Sequence, residues 1–206
     1  MTDSLFDRLK HPNPNLRDRA TVEIVENRDE NTIPRLMSIL DDPDTIYRRA
    51  AVKTLGAIGA DAVPSLAETL LTSDDSTVRA SCAKAIAQVI INYPDKPLPD
   101  VGIQGLKTAM ADEHPVVNIA AVMALGEMGT ASFDILVEAL NTTDNIALQV
   151  SLVNALASIG DIRSAAILAA ATENADFDEY VREAAVSALP RLDQKIKYNE
   201  MKVQKS

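Results

Sequence analysis

The sequence has one cysteine, Cys82, no tryptophan and only 3% aromatic residues. A single cysteine excludes an internal disulfide and favours a reducing, cytoplasmic setting. No apolar run reaches the roughly 18 residues that a membrane-spanning helix needs, so no membrane insertion is predicted. Because aromatic residues are scarce while alanine and leucine are abundant, the composition disfavours a β-sandwich and favours closely packed helices.

Positive charge is also in short supply. Over the 206 residues the net charge is −10, and Thr108 to Ile162 contains no Lys or Arg but seven acidic residues. Such a chain is repelled by phosphate backbones and anionic lipid surfaces. We therefore expect no nucleic-acid partner.

A repeated segment accounts for nearly the whole chain. Each copy has an apolar stretch with helical periodicity, a polar turn and a longer alanine-rich stretch. One position in the second stretch, which we call the anchor, recurs at Arg17, Arg48, Arg79, Asn118, Gln149 and Arg182, at spacings of 31, 31, 39, 31 and 33 residues. A hairpin of this length cannot bury both its faces alone, so the copies must stack. The pattern predicts an all-α fold, an α-solenoid of about six helical hairpins.

The boundaries follow from the repeat. We expect a single solenoid over residues 1–192 and a basic C-terminal tail over 193–206. The long spacing between the third and fourth copies coincides with residues 92–100, which contain three prolines and are expected to form a loop.

Glycines recur at fixed places in the second stretches. Gly59, Gly129 and Gly160 follow them and are expected to end those helices with positive φ. Gly56 and Gly126 lie inside the helices, where glycine costs about 1 kcal/mol relative to alanine. We expect them to permit a close approach between helices.

An acidic residue precedes three of the anchors by four positions. The pairs are Asp44 with Arg48, Asp75 with Arg79, and Asp178 with Arg182. Opposite charges at i and i+4 on a helix attract each other. We interpret the pairs as a structural ladder between stacked copies rather than an anion site. Its rungs are neutral at His114 with Asn118 and at Asn145 with Gln149.

Several stretches resemble a known family. They are YRRAAVKTLGAIGADAVPSL from Tyr47 to Leu66, VVNIAAVMALGEMG from Val116 to Gly129, and YVREAAVSAL from Tyr180 to Leu189. They are similar to HEAT repeats of the phycobilisome-lyase type, an armadillo-like helical group. The resemblance implies a cyanobacterial setting, since the group includes phycobilin lyase subunits, non-bleaching phycobilisome-degradation proteins and a HEAT protein that binds an iron–sulfur scaffold.

The residues that carry catalysis or bind metals in other proteins are few. His11 and His114 each precede a proline in an inter-helix turn, so we interpret both as turn or cap residues. Cys82 lies on the apolar face of its helix and is expected to be a buried, unreactive thiol. One cysteine and two turn histidines do not make a zinc or iron–sulfur site. The residues predict no catalytic group, no metal and no resident cofactor.

A binding surface is the remaining candidate. The side of each second helix that faces away from the core should line a concave groove that binds a protein partner. Its residues, assigned by repeat register, are Arg49, Lys53, Lys84, Gln88, Ile119, Met123, Glu127, Val150 and Asn154. The groove would be basic at its N-terminal end and apolar at Ile119, Met123 and Val150, as partner surfaces often are.

Three functions remain open. The residues favour a non-enzymatic scaffold that binds a protein partner in this groove. The resemblance implies two alternatives: a subunit or chaperone of a phycobilin (phycocyanobilin) lyase, transiently holding a bilin while it is attached to a phycobiliprotein cysteine, or an accessory of iron–sulfur assembly that docks a scaffold protein. A lyase subunit works mainly by positioning, so the absence of a catalytic motif does not exclude it.

Overall fold

The computed structural model describes residues 3–203, which contain helices and turns but no strand. The predicted all-α class is confirmed. The α-helices of this range are α1 (Asp3–Asp7), α2 (Pro14–Glu26), α3 (Thr32–Met37), α4 (Thr45–Ile58), α5 (Val63–Thr72), α6 (Ser76–Asn92), α7 (Asp100–Ala109), α8 (Pro115–Glu127), α9 (Phe133–Thr142), α10 (Ile146–Ser158), α11 (Ser164–Glu173) and α12 (Glu179–Val203). Within five of the expected hairpins the two helices pack against each other: α1 with α2, α3 with α4, α5 with α6, α9 with α10, and α11 with α12.

Short polar side chains start the second helices. Asn13, Asp44, Asp75 and Asn145 each accept a hydrogen bond from a backbone N–H in the first turn of the following helix. These caps satisfy donors that have no partner within the helix. The polar inter-helix turns of the sequence are therefore the helix start signals.

The expected glycines follow three second helices. Gly59, Gly129 and Gly160 have φ of +88°, +63° and +67°, a conformation that glycine adopts without a Cβ penalty. At Gly59 the ring of Tyr93 also excludes a side chain, because an added Cβ would lie 2.8 Å from Cε2.

The chain divides into two compact units. The first ends at Ala124. Within it α2, α4 and α6 pack side by side, and α5 packs against α3, α6 and α7. Fully buried Leu55, Leu66 and Ile86 contribute to its core, and the buried hydroxyls of Thr21 and Thr54 are 2.9 Å apart, joining α2 to α4.

The second unit begins at Leu125. Here α10 packs against α9, α11 and α12, and α12 also packs against α11. Leu136, Leu152, Leu156 and Leu168 are fully buried in it. The prediction of one continuous solenoid over residues 1–192 stays a prediction.

The loop and the tail have definite places. Residues 93–99 connect α6 to α7 without helix. The helix α12 runs through Pro190 and on to residue 203, so most of the segment predicted as a tail is helical. Residues 204–206 lie outside the described range. No helix among the described residues is both long and apolar enough to cross a membrane.

Candidate functional site

The six anchor side chains share one contact. Each donates to a backbone carbonyl in the turn that precedes its own helix. The pairs are Arg17 to His11, Arg48 to Asp42, Arg79 to Ser73, Asn118 to Asp112, Gln149 to Thr143 and Arg182 to Phe177. Charged and neutral anchors do the same work, since what the turn needs is a donor for its carbonyl oxygen.

This contact corrects the i, i+4 pairing expected at Asp44–Arg48, Asp75–Arg79 and Asp178–Arg182, while the ladder between stacked copies stays a prediction. Each aspartate accepts from backbone N–H groups two residues on, while the arginine reaches back to the turn. The expected i, i+4 ion pairs are absent from the described residues. The carboxylate bonds the nearby backbone N–H groups instead of the arginine, because these donors are closer and would otherwise have no partner in the helix.

Arg79 makes a further contact, with the next hairpin. Its Nε and Nη2 donate to the carboxylate oxygens of Asp112 at 2.7 and 2.9 Å, and the two side chains are only 11% and 12% exposed. These hydrogen bonds hold the pKa of Asp112 below its usual value and raise that of Arg79. The pair is bidentate and charge-assisted, the strongest class of side-chain contact.

Exposed apolar side chains mark one face of the second helices in the first unit. They lie two positions before, five after or twelve after the anchor, and steps of seven residues return to the same side of a helix within about 20°. They are Val22, Ile46, Ile91, Val116 and Met123. We call these residues, with Arg49, Lys53 and Lys84 beside them, the second-helix face.

The predicted groove residues of the first unit differ in exposure. Met123 is 64% exposed, and Arg49, Lys53 and Lys84 are exposed. Ile119 is half-buried. Lys53 Nζ lies 2.7 Å from Asp18 Oδ1 on α2, so part of its charge is already paired. The half-buried Gln88 instead packs against Gly56, where an added Cβ would lie 2.2 Å from Gln88 Cβ.

The predicted groove residues of the second unit are more involved in the unit itself. Glu127 is exposed, whereas Val150 and Asn154 are half-buried. The amide oxygen of Asn154 accepts from Arg191 at 2.6 Å, which joins α10 to α12.

The remaining candidates take structural positions. Cys82 is fully buried, and burial raises the pKa of its thiol to about 12. The Nδ1 atom of His11 accepts from the amide of Asn13 at 3.0 Å, which is a turn contact. His114 lies exposed in a turn, and its own amide donates to Asp112.

A pocket that sequence reasoning missed lies at the loop of residues 93–99. Its volume is about 240 Å³, and it is bordered by the C-terminal ends of α4 and α6. Its lining includes Arg28, Asp61, Tyr93, Lys96 and Leu98. The sequence signal that could have indicated this pocket is the interruption of the repeat, since the inserted segment carries an aromatic residue, Tyr93, and a basic residue, Lys96.

Comparison with known proteins places the chain in a family. The model of HEAT repeats matches residues 2–87 and 103–190. The chain belongs to the HEAT-repeat family. The two matched segments leave out residues 88–102, which include the pocket loop.

Two relatives and one solved structure are informative. The chain is 55% identical to the uncharacterised phycocyanin operon protein Z of Pseudanabaena tenuis, over 93% of this chain and 95% of that one. It is 39% identical to the bilin biosynthesis protein CpeZ of a Synechococcus species, over 68% of this chain and 78% of the relative. A designed armadillo repeat protein in complex with the peptide (KR)4 matches 92% of this chain and 98% of its own, with a TM-score of 0.50 at 16% identity. The structural match supports the helical-repeat fold alone.

These matches confirm the resemblance to HEAT repeats of the phycobilin-lyase type and the predicted helical-repeat fold. Repeats of this kind bind proteins along exposed helix faces. The family therefore points to a protein partner.

Proposed function

We propose that the chain takes part in attaching a bilin to a phycobiliprotein, as a subunit or chaperone of a phycobilin lyase. The observation that carries the proposal is its 39% identity to a protein named for bilin biosynthesis, across most of both chains. The relative named for a phycocyanin operon supports the same setting. These names favour the lyase alternative over a general scaffold and over iron–sulfur assembly.

The second-helix face is the surface we propose for the phycobiliprotein. Exposed apolar side chains in one register, with basic residues beside them, are typical of a partner surface. Met123 is the main contact residue in this proposal, because it is the most exposed of the five apolar side chains. Arg49 and Lys84 would steer an acidic partner toward it, since charges at a rim act mainly on association.

The functional test is co-production of the chain with a phycobiliprotein subunit and a bilin supply in a host that makes no bilin. We expect the chain to raise the yield of bilin that stays on the subunit after denaturing electrophoresis. Equal yields with and without the chain, at equal subunit expression, would refute the proposed function.

The surface test compares Met123→Glu with Val101→Glu. Both are exposed apolar residues of the first unit, but Val101 lies on α7, a first helix. Met123→Glu should weaken binding of the phycobiliprotein by about 2 kcal/mol, mainly through faster dissociation, while the Val101 variant binds normally. Surface plasmon resonance measures both rates. Loss of binding in the Val101 variant alone would move the site to the first helices.

Charge is tested separately by Lys84→Glu, because Lys84 has no ion-pair partner among the described residues whereas Lys53 does. The variant should slow association and weaken its salt dependence, leaving dissociation nearly unchanged. A change confined to dissociation would mean that Lys84 lies inside the contact instead of at its rim.

A further inference from the structure

The pocket at residues 93–99 is formed by a segment that breaks the repeat. Ile58, Gly59 and Val89 border it from the ends of α4 and α6, and Pro97 and Leu98 border it from the loop. The charged groups at its edge are Arg28, Asp61 and Lys96. The pocket lies entirely within the first unit.

Tyr93 holds the loop in place. Its hydroxyl donates to the carbonyl of Ala57 at 2.6 Å, and its amide donates to the carbonyl of Val89 at 3.0 Å. Its ring lies against Gly59, whose missing Cβ leaves the space that the ring needs. The aromatic wall of the pocket is therefore formed before any ligand arrives, which reduces the ordering cost of binding.

The charges at the pocket are of two kinds. Arg28 Nη2 lies 3.2 Å from Asp61 Oδ2, so these two are paired. Lys96 Nζ lies 5.0 Å from the ring centroid of Tyr93 and forms no ion pair with any described residue. An uncompensated ammonium group next to an aromatic ring suits a carboxylate that is attached to a flat, apolar group.

The size of the pocket limits what it encloses. Pockets for drug-sized ligands have volumes of about 300–1,000 Å³. At about 240 Å³ this pocket has room for one ring and its side chain, and not for four linked rings. A linear tetrapyrrole offers such a unit, since its inner rings carry propionate groups and most of its ring nitrogens are N–H donors.

We propose that the pocket holds one propionate-bearing ring of the bilin. Lys96 pairs with the propionate, Tyr93 and Leu98 contact the ring, and Asp61 accepts from a pyrrole N–H. This inference rests on the proposed function and adds to it the part of the chain that contacts the bilin. The remaining rings would stay outside the pocket, accessible to the phycobiliprotein.

The test is titration of the purified chain with biliverdin, followed by the circular dichroism induced in the visible bands of the pigment. Lys96→Glu should weaken binding about fivefold or more, because it replaces an attraction by a repulsion. Lys96→Arg should bind within about twofold of wild type. Lys197→Glu is the matched control, with the same charge change on an exposed lysine of α12 that does not line the pocket, and should bind as wild type does.

Biliverdin dimethyl ester separates the charge from the ring. Its propionates are blocked, so the wild-type chain should bind it more weakly than biliverdin and Lys96→Glu should weaken it no further. Leu98→Asp should weaken both pigments. If Lys96→Glu and Leu98→Asp bind biliverdin as wild type does, the pocket is not the bilin site.

The outcomes separate this inference from the proposed function. Biliverdin binding that ignores the pocket variants overturns the pocket and leaves the proposed function intact. Absence of any induced signal with the wild-type chain also overturns the pocket, and the bilin-attachment assay then decides the function independently.

Discussion

The two compact units use the same hairpin, but one anchor of the first unit makes a second contact that its counterpart in the second unit lacks. In the first unit, the anchor Arg79 binds its own turn and also the carboxylate of Asp112 in the next hairpin. In the second unit, the anchor Gln149 donates to the carbonyl of Thr143, and its side chain makes no other hydrogen bond among the described residues. The repeat therefore requires only a donor at the anchor, and the charge of the arginine is available for a second contact.

The glycines inside the second helices also differ between the two units, in how closely the neighbouring helix packs against them. An added Cβ at Gly56 would lie 2.2 Å from Gln88 Cβ, whereas at Gly126 the nearest atom would be Ala155 Cβ at 3.8 Å. The expected close approach is therefore required at Gly56 and not at Gly126. Two glycines at the same place in the repeat have different structural roles.

The largest expected effect is at the buried ion pair. Asp112→Ala leaves the guanidinium of Arg79 buried without its carboxylate and should cost about 3 kcal/mol of the free energy of unfolding. Gln149→Ala removes a neutral donor and should cost about 1 kcal/mol. Urea denaturation followed by far-UV circular dichroism measures both. Equal costs would mean that the second contact of Arg79 adds no stability.

Next in size is the glycine pair. Gly56→Ala should destabilise by about 1–3 kcal/mol, because α4 and α6 must move apart. Gly126→Ala should be neutral or stabilising by up to about 1 kcal/mol, since alanine is the better helix former. Thermal unfolding of the two variants side by side tests this. A destabilised Gly126→Ala variant would contradict the contact difference.

The ion pair should make the free energy of unfolding depend on pH in the acid range. The pKa of Asp112 is lowered in the folded state, so the stability that it contributes is fully present above its unfolded pKa of about 4. That contribution is lost as the pH falls through the folded pKa. Between about pH 4 and pH 2, Asp112→Asn should therefore lose less free energy of unfolding than wild type does. Parallel curves would show that Asp112 is not a source of the acid sensitivity.

The smallest expected effect concerns Cys82, which lies in the first unit. With a pKa of about 12 and no exposed surface, its thiol should resist iodoacetamide at pH 8 in the native protein. Urea should make it reactive as that unit opens. Mass spectrometry of the alkylated chain gives the readout, and prompt labelling without denaturant would contradict a buried thiol.

Periodic features could be predicted from the sequence and contacts between repeats could not. The anchors and the glycines with positive φ recur at the repeat spacing, so they were visible in one chain. The Arg79–Asp112 pair was missed because Asp75 is nearer to Arg79 in the sequence. Only the fold shows that Asp75 caps its helix and does not pair with Arg79. Residues one repeat apart are where such contacts form, as Arg28 with Asp61 also shows.

The pocket was missed for a different reason. Tyr93 and Lys96 belong to the segment without periodicity, so register assigned them to no face. Their role depends on the tyrosine hydroxyl reaching Ala57, a contact that no spacing rule predicts. The second-helix face was only partly predicted, since Val22, Ile46, Ile91 and Val116 share its register but were not among the expected groove residues.

The insertion at residues 93–99 also bears on recognition. In a chain of similar hairpins a long partner meets nearly the same surface every 31 residues or so, and could bind shifted by one hairpin at little cost. A feature that occurs once removes that degeneracy. A ligand or partner that contacts Tyr93 and Lys96 can align with the chain in one way only. The interruption of the repeat would therefore fix the register in which that partner binds.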